Sequence, residues 1–403
     1  MQINKPAHVW QLSFEGEWPT SVTFLGDQYH LAAANRAGHI YVWNLPTELP
    51  KQEEKKGEKS KGDEPADWAP SLKLEGHTNG VTRLLAADKG KTLISASLDR
   101  TIRLWNWNET PEGKATVVLD ASARERQARG KGKEEKEKIL NAPGVEVPTL
   151  AKCEVLAGHT EWIQAMGLNG EGTRLISGDD ACVSRVWDVV EKKVVSSWNG
   201  YPRVWVSAAA LSPDGSMAFT AEFAGSRSDF DRPAAQARLW KVADGSLQLD
   251  LLKTWTPDVK DKDRIDSYGY AQTWGKLLKR GLVCAAFSPD GQLLAVGQGG
   301  ETDKGQAHVV EVSSGKILRT ISGHQYGMCD LAFSADGQYL LTCGRDTTVR
   351  ICQISDGKEV AVLGTPRGGQ FKDWLYALSV SPDQQWVAAA DIAGFVQVWK
   401  LSN

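Results

Sequence analysis

A hairpin pattern that recurs along the chain limits the fold more than any other feature of the sequence. In the copy at residues 95–105, SASLDRTIRLW, two runs rich in β-forming residues flank a short turn. A strand that ends in a polar turn such as SPDG or SADG precedes most copies, and these are typical turn sequences. Each unit therefore contains a strand, a polar turn, a hairpin of two strands and one further strand.

Seven such units cover the chain. Their third strands end near Trp43, Trp105, Trp187, Trp240, Val310, Cys352 and Trp399. Seven units of four antiparallel strands predict an all-β fold, a closed seven-bladed β-propeller. A length of 403 residues by itself suggests two domains. Because the repeats run along the whole chain, residues 1–403 are instead predicted to form a single propeller domain.

The two ends of the chain are predicted to supply one blade between them. The last unit stops at VWKLSN, which leaves no residues for a fourth strand. The N-terminal sequence HVWQLSFEG is similar to SLKLEG, the fourth strand of the first unit. We therefore expect an N-terminal strand at about residues 8–14 to complete the last blade, which closes the ring and removes exposed sheet edges.

The second unit brings four polar side chains together. Ser95, Asp99 and Trp105 lie at even offsets along the hairpin and share a face, and His77 arrives from the preceding loop. A Ser, a His and an Asp also occur in hydrolases. A structural chain of hydrogen bonds from Asp99 through His77 and Ser95 to the indole of Trp105 is favoured, because Trp has no part in nucleophilic chemistry and Ser95 lies on a strand rather than on a G-x-S-x-G elbow.

Two short motifs in these units closely resemble those of the Trp-Asp (WD) repeat family. One is the Gly-His pair, found at Gly76-His77, Gly158-His159 and Gly323-His324, and the other is VWD at Val186-Trp187-Asp188. The resemblance covers nearly the whole chain and implies that His77, Ser95, Asp99 and Trp105 form a structural tetrad.

The other units depart from this set. The third has His159, Ser177 and Trp187, but Ala181 stands where the Asp is expected, six residues before the Trp. The sixth has Cys352 in place of the Trp. Incomplete tetrads are expected to make blades less rigid without changing their function.

The units average more residues than the 40–45 of a WD repeat, and the excess falls into identifiable insertions. Two charged insertions cover about residues 50–70 and 106–150, and two more cover about 225–236 and 254–280. The second is locally basic, so it is either a solvated loop or a contact for an acidic partner.

Four tryptophans occupy one equivalent position, six residues before the end of the first strand of a unit. They are Trp18, Trp162, Trp205 and Trp374. In the resembled family this position begins the innermost strand at the mouth of the central channel, on the face that binds partners. Arg36, Arg345 and Tyr326 are predicted to lie beside this ring. Two alternatives remain: a surface that binds a protein or peptide with acidic and apolar groups, or packing between blades.

Composition and missing motifs narrow the function further. The net charge of −3 gives no general signal for nucleic acid or for a membrane surface, and no apolar run approaches the roughly 18 residues of a membrane span. The six Cys form no C-x-x-C pair, and no H-E-x-x-H, EF-hand or P-loop occurs. We therefore expect a cytoplasmic protein with no metal, cofactor or catalytic residues.

The predicted function is a non-catalytic scaffold that binds a protein or peptide on the face carrying the Trp ring. The alternative is a propeller enzyme, or a small-molecule binder, that uses the central channel.

Overall fold

The computed structural model describes residues 1–15, 17–46, 69–119, 124, 128, 130–200, 204–223, 235–256, 281–299, 304–365 and 374–402. The predicted insertions near 50–70, 225–236 and 254–280 lie almost entirely outside these described residues. Thirty strands in the described ranges form seven separate sheets, which confirms the seven-bladed propeller.

The strands follow one another in the order that the repeats predict. The N-terminal strand is β1 (Ala7–Ser13). Blade 1 contains β2 (Pro19–Phe24), β3 (His30–Asn35), β4 (Ile40–Asn44) and β5 (Leu72–Leu74). Blade 2 begins with β6 (Val81–Ala87), β7 (Thr92–Ser97) and β8 (Ile102–Trp105), with a 3₁₀ turn at Asp88–Gly90. An inserted hairpin follows, made of β9 (Gly113–Val117) and β10 (Val145–Leu150), with α1 (Lys133–Leu140) between them. The last strand of blade 2 is β11 (Glu154–Leu156).

The remaining five blades follow the same order, with the innermost strand first. Blade 3 contains β12 (Ile163–Leu168), β13 (Arg174–Asp179), β14 (Val183–Asp188) and β15 (Lys193–Asn199). Blade 4 contains β16 (Trp205–Leu211), β17 (Met217–Phe223), β18 (Ala235–Lys241) and β19 (Leu247–Asp250), followed by α2 (Leu251–Trp255). Blade 5 contains β20 (Leu282–Phe287), β21 (Leu293–Gln298), β22 (Gly305–Glu311) and β23 (Ile317–His324). Blade 6 contains β24 (Met328–Phe333), β25 (Tyr339–Gly344), β26 (Val349–Gln353) and β27 (Glu359–Leu363). Blade 7 contains β28 (Leu375–Val380), β29 (Trp386–Asp391) and β30 (Phe395–Lys400).

The ring closes through the N-terminal strand. Strand β1 pairs antiparallel with β30 and completes blade 7, as the sequence predicts. The first strand of each blade contacts the first strands of its two neighbours, and β28 of blade 7 contacts β2 of blade 1. The seven first strands therefore surround a central channel.

The polar turns between first and second strands are fixed by their own side chains. In blade 4, the carboxylate of Asp214 accepts hydrogen bonds from the hydroxyl of Ser212 and from the backbone N–H of Ser216. Gly215 between them has φ of +69°, a conformation that glycine adopts without steric cost. The same Ser-to-Asp hydrogen bond recurs in blades 5, 6 and 7, which explains why SPDG and the related SADG and SPDQ sequences end the innermost strands of blades 4 to 7.

The insertion at 106–150 differs from the solvated loop that its charge favours. Strand β10 pairs parallel with β5, and β9 pairs with β10, so blade 1 is extended to six strands. Val117, Leu119 and Val147 are buried in one cluster with Trp43 of blade 1 and Phe14 beyond β1. Its apolar residues therefore cover the junction between blade 1 and the strand that closes the ring, while its charged residues occupy the exposed helix α1.

Candidate functional site

The four polar residues of blade 2 form one continuous chain of hydrogen bonds. His77 Nδ1 lies 2.8 Å from Asp99 Oδ2, and its Nε2 lies 2.7 Å from Ser95 Oγ. Ser95 Oγ also accepts a hydrogen bond of 2.9 Å from the indole N–H of Trp105. Burial lowers the pKa of His77 more than Asp99 raises it, so the ring is neutral at neutral pH and can accept the Ser95 proton. Ser95 and Trp105 are fully buried, so this chain joins strands rather than forming an accessible nucleophile.

Blade 3 completes the same chain with a different carboxylate. His159 Nδ1 lies 2.7 Å from Asp179 Oδ2, His159 Nε2 lies 2.6 Å from Ser177 Oγ, and Trp187 donates to Ser177. The spacing to Trp187 predicts the acid at position 181, where Ala181 stands, and this prediction is wrong because Asp179 takes the role. Asp179 ends the second strand, and its other oxygen accepts the backbone N–H groups of Ala181 and Val183. One carboxylate therefore both caps the turn and orients the histidine.

Blade 6 has the same arrangement without the indole. His324 contacts Asp346 at 2.8 Å and Thr342 at 2.9 Å, and Cys352 stands at the Trp position. Burial alone raises the pKa of Asp346, but hydrogen bonds from His324 and its neighbours lower it to about 2. A carboxyl whose pKa falls on folding stabilises the protein above its unfolded pKa, so this contribution is lost as the pH falls below about 4.

We expect Asp179→Ala to lower the free energy of unfolding by about 1–3 kcal/mol, because it leaves His159 and two backbone N–H groups without their buried acceptor. Urea denaturation measures this change. The matched control is Asp180→Ala, one residue further along and partly exposed, for which we expect a change within about 0.5 kcal/mol. Equal effects of the two substitutions would contradict the role given to Asp179.

A cavity of about 470 Å³ occupies the central channel where the first strands begin. All seven blades contribute to its wall. Trp18, Trp162, Trp205, Arg36 and Arg345 line this cavity, so the structure brings five of the seven predicted partner-binding residues to one place.

Two of these tryptophans are strongly exposed. The side chains of Trp18 and Trp162 retain 48% and 47% of their accessible surface. The guanidinium of Arg36 lies 5.4 Å from the ring centroid of Trp18, within the range of a cation–π contact. Trp18 and Trp162 therefore present large apolar faces at the mouth of the channel.

The other predicted residues are more enclosed. Trp205 packs edge-to-face on Phe223, with ring centroids 5.5 Å apart. Trp374 is partly buried outside the cavity wall, where Arg345 stacks on it at 4.1 Å from the ring centroid. Tyr326 also lies outside that wall, and its backbone carbonyl accepts a hydrogen bond from Gly305. Trp205 and Trp374 therefore combine packing with a position at or near the mouth.

Sequence reasoning missed a third exposed aromatic residue, Tyr376 of blade 7. Its side chain is 46% exposed and lines the cavity. Desolvation raises the pKa of Tyr376, while the positive charges of Arg36 and Arg345, which line the same cavity, act in the opposite direction. Tyr376 stands four residues before the end of its first strand, two after the Trp position, and aligning the units at that position would have found it.

Hydroxyls at the same level fasten neighbouring blades. Thr82 donates to the carbonyl of Ile163 in blade 3, at 2.8 Å, and Ser207 donates to the carbonyl of Leu282 in blade 5, at 2.7 Å. Thr20 makes the equivalent contact to Val81. These bonds hold the wall of the cavity in a fixed shape.

An ion pair between a partly exposed arginine and a buried aspartate crosses the channel at the floor of the cavity. Arg83 of blade 2 donates through Nη1 to Asp330 Oδ2 of blade 6, at 2.8 Å. Burial by itself lowers the pKa of Arg83, but Asp330 outweighs it and the pKa lies above its ordinary value. The sequence offered a signal here, since these two opposite charges occupy the same position in two innermost strands.

The closed ring of seven blades, in which a buried chain of Asp, His, Ser and Trp joins the strands of blades 2 and 3, defines a repeat propeller. Comparison with known proteins identifies the family. The model of the WD domain, G-beta repeat, matches residues 68–106 and 315–352. Residues 68–106 and 315–352 are therefore WD repeats.

Relatives match over most of the chain at low identity. Nuclear distribution protein PAC1-2 of Uncinocarpus reesii is 25% identical over 372 residues, which cover 87% of this chain and 74% of the relative. Small ribosomal subunit protein RACK1 of Caenorhabditis elegans is 24% identical over 353 residues, covering 84% of this chain and 93% of the relative.

Among the residues that the structure describes, no three or more His, Cys, Asp or Glu side chains are grouped so that they could hold a metal ion. Within the same ranges, no helix has the length and apolar character needed to cross a membrane.

Proposed function

We propose that this protein is a non-catalytic scaffold that binds a protein or peptide segment at the mouth of its central channel. The observation that carries the proposal is the exposure of Trp18, Trp162 and Tyr376, each close to half accessible, around one concave opening. Large aromatic side chains dominate the energy of protein interfaces, and exposed apolar groups gathered at one opening mark binding surfaces.

The charges at the mouth support a partner with acidic groups. Arg36 and Arg345 lie near Tyr376 on one side of the opening. A guanidinium can bind a carboxylate through two parallel hydrogen bonds while its face stacks on an aromatic ring. A segment with an apolar side chain between the tryptophans and a carboxylate beside these arginines fits this surface. The relative named as a protein of the small ribosomal subunit belongs to an assembly, which agrees with such a role.

We expect the double variant Trp18→Ala/Trp162→Ala to recover at least tenfold less of its partner in affinity purification from the native cell. Interface tryptophans commonly contribute more than 2 kcal/mol each, and 1.4 kcal/mol corresponds to a tenfold change in affinity. Quantitative mass spectrometry of stoichiometric partners measures the loss, after circular dichroism has shown that the variant folds.

The control for this experiment replaces exposed apolar residues elsewhere on the propeller. Val190 and Leu318 retain 69% and 53% of their surface but are not part of the cavity wall. The variant Val190→Ala/Leu318→Ala should recover the partner as the wild type does. A partner that the tryptophan variant retains would place its binding surface outside the mouth.

A further inference from the structure

The cavity in the channel is positively charged, although the chain as a whole is negative. Four charged side chains in the described part of its wall are Arg36, Arg83, Arg345 and Asp330. Three positive charges against one negative charge give a formal charge of +2, in a protein of net charge −3. Low-dielectric walls concentrate the field of such charges, so the cavity attracts anions.

The ion pair at the floor leaves part of Arg83 available to a ligand. Asp330 is 1% exposed and also accepts the backbone N–H groups of Leu331 at 3.0 Å and Leu378 at 3.1 Å, so both of its oxygens have protein donors. Arg83 uses Nη1 for Asp330, and its side chain remains 30% exposed. Within the described ranges its other N–H groups meet no protein acceptor, and they are open to the cavity rather than sealed against protein.

The residues level with Arg83 explain why its side chain reaches into the channel. The equivalent positions of the other innermost strands, apart from Asp330, carry small side chains. They are Ser21, Ala165, Ala208, Cys284 and Ala377. A long side chain at this level therefore has room to cross the channel, and the space above it stays open.

The walls above the floor suit a flat apolar group. Trp18, Trp162 and Trp205 line the cavity on the side of its mouth, and Met166 and Met328 also contribute to its wall. Its volume of about 470 Å³ lies within the range of about 300–1,000 Å³ of pockets that bind small molecules, and such pockets combine apolar walls with a few polar groups that fix orientation.

We propose that the central cavity binds a small organic carboxylate, with its apolar body between the tryptophans and its carboxylate on the open edge of the Arg83 guanidinium. The ion pair with Asp330 holds that edge in place before the ligand arrives. This inference goes beyond the proposed function, because the ligand binds in the channel and no protein partner is required. It also assigns a role to Arg83, which the proposed partner surface does not use.

The experiment uses 4-fluorophenylacetate and its neutral counterpart 4-fluorophenylacetamide as probes of the full-length protein, followed by ¹⁹F NMR. We expect the carboxylate to bind about tenfold or more tightly than the amide, because a hydrogen bond to a charged acceptor is stronger than one to a neutral acceptor. Equal affinity of the two probes, or no binding of either at millimolar concentration, overturns the proposal.

Variants connect the binding to Arg83. The substitution Arg83→Gln leaves Asp330 buried without its partner, so the double variant Arg83→Gln/Asp330→Asn is included to keep the floor neutral. We expect both to lose the preference for the carboxylate. The control Arg174→Gln removes one positive charge at the opposite end of blade 3 and should leave the affinity unchanged.

A third probe distinguishes the source of the carboxylate. A capped glutamyl-phenylalanine amide carries the same chemistry on a peptide. If it binds more tightly than 4-fluorophenylacetate and depends equally on Arg83, the cavity takes a peptide carboxylate, and the proposal of a free small ligand is overturned. Loss of partner capture in the tryptophan variant is measured separately, so either proposal can fail without the other.

Discussion

Removal of residues 1–15 should abolish cooperative folding of the propeller. Strand β1 supplies the outer strand of blade 7, and its loss exposes the backbone groups of β30 along a hydrophobic sheet edge. It also removes Trp10, Leu12 and Phe14, which are at most 1% exposed. Loss of one buried Phe or Trp side chain costs about 3–5 kcal/mol, while a whole domain is stable by about 5–15 kcal/mol. Thermal unfolding followed by near-ultraviolet circular dichroism measures the effect.

A single substitution gives the quantitative version of this test. Trp10 stacks on Trp386, with ring centroids 4.9 Å apart, so Trp10→Ala should lower the free energy of unfolding by about 3–5 kcal/mol. His8→Ala on the same strand is the control, because His8 is exposed and its loss should cost about 0.5 kcal/mol or less. For the truncation that lacks residues 1–15, a melting temperature equal to that of the wild type would show that the ring does not depend on β1.

The sequence predicts the architecture well because its evidence is repeated. Each unit carries its own turn sequence and its own alternating strands, and the closure by β1 follows from a fourth strand missing at one end and present at the other. The same repetition places Trp18, Trp162 and Trp205 at one level of the channel. Equivalent residues in several units support the same structural assignment, so a weak sequence pattern in one unit is strengthened by the others.

Features that occur once are not predicted, since they depend on particular side-chain contacts that no other unit repeats. Asp179 takes the place expected for residue 181 because a carboxylate at the end of β13 can reach His159 and the turn together. The pairing of Arg83 with Asp330 joins blades that are far apart in sequence. The exposure of each tryptophan also depends on its neighbours, so sequence alone cannot separate the half-exposed Trp162 from Trp205, which packs on Phe223.

The inserted hairpin is a further feature that the sequence does not predict, because its charged residues favour a solvated segment. Its sequence is dominated by Lys, Glu and Arg, which favour a solvated segment. Strand β10 nevertheless pairs with β5 of blade 1, and Leu119 forms a β-bridge with Glu15, next to the closing strand. We infer that this hairpin stabilises the closure of the ring, because it covers the same cluster that β1 enters.

We expect Val147→Asp to destabilise the protein by about 3–5 kcal/mol, the cost of leaving a charge buried without a partner. Val147 is fully buried in the cluster that contains Trp43 and Phe14, so the carboxylate has no access to water. Urea denaturation followed by tryptophan fluorescence measures the loss.

Val145→Asp is the matched control for this substitution, since Val145 lies two residues away on the same strand but is 38% exposed. A carboxylate there stays hydrated, and the expected change is within about 0.5 kcal/mol. If Val147→Asp were as mild as its control, the hairpin would be an appendage that separates from blade 1 without cost. If it is severe, and limited proteolysis then cuts near β1 as readily as within the hairpin, the insertion and the closing strand unfold together. That coupling is expected because both bury their apolar side chains in one cluster, which neither can complete without the other.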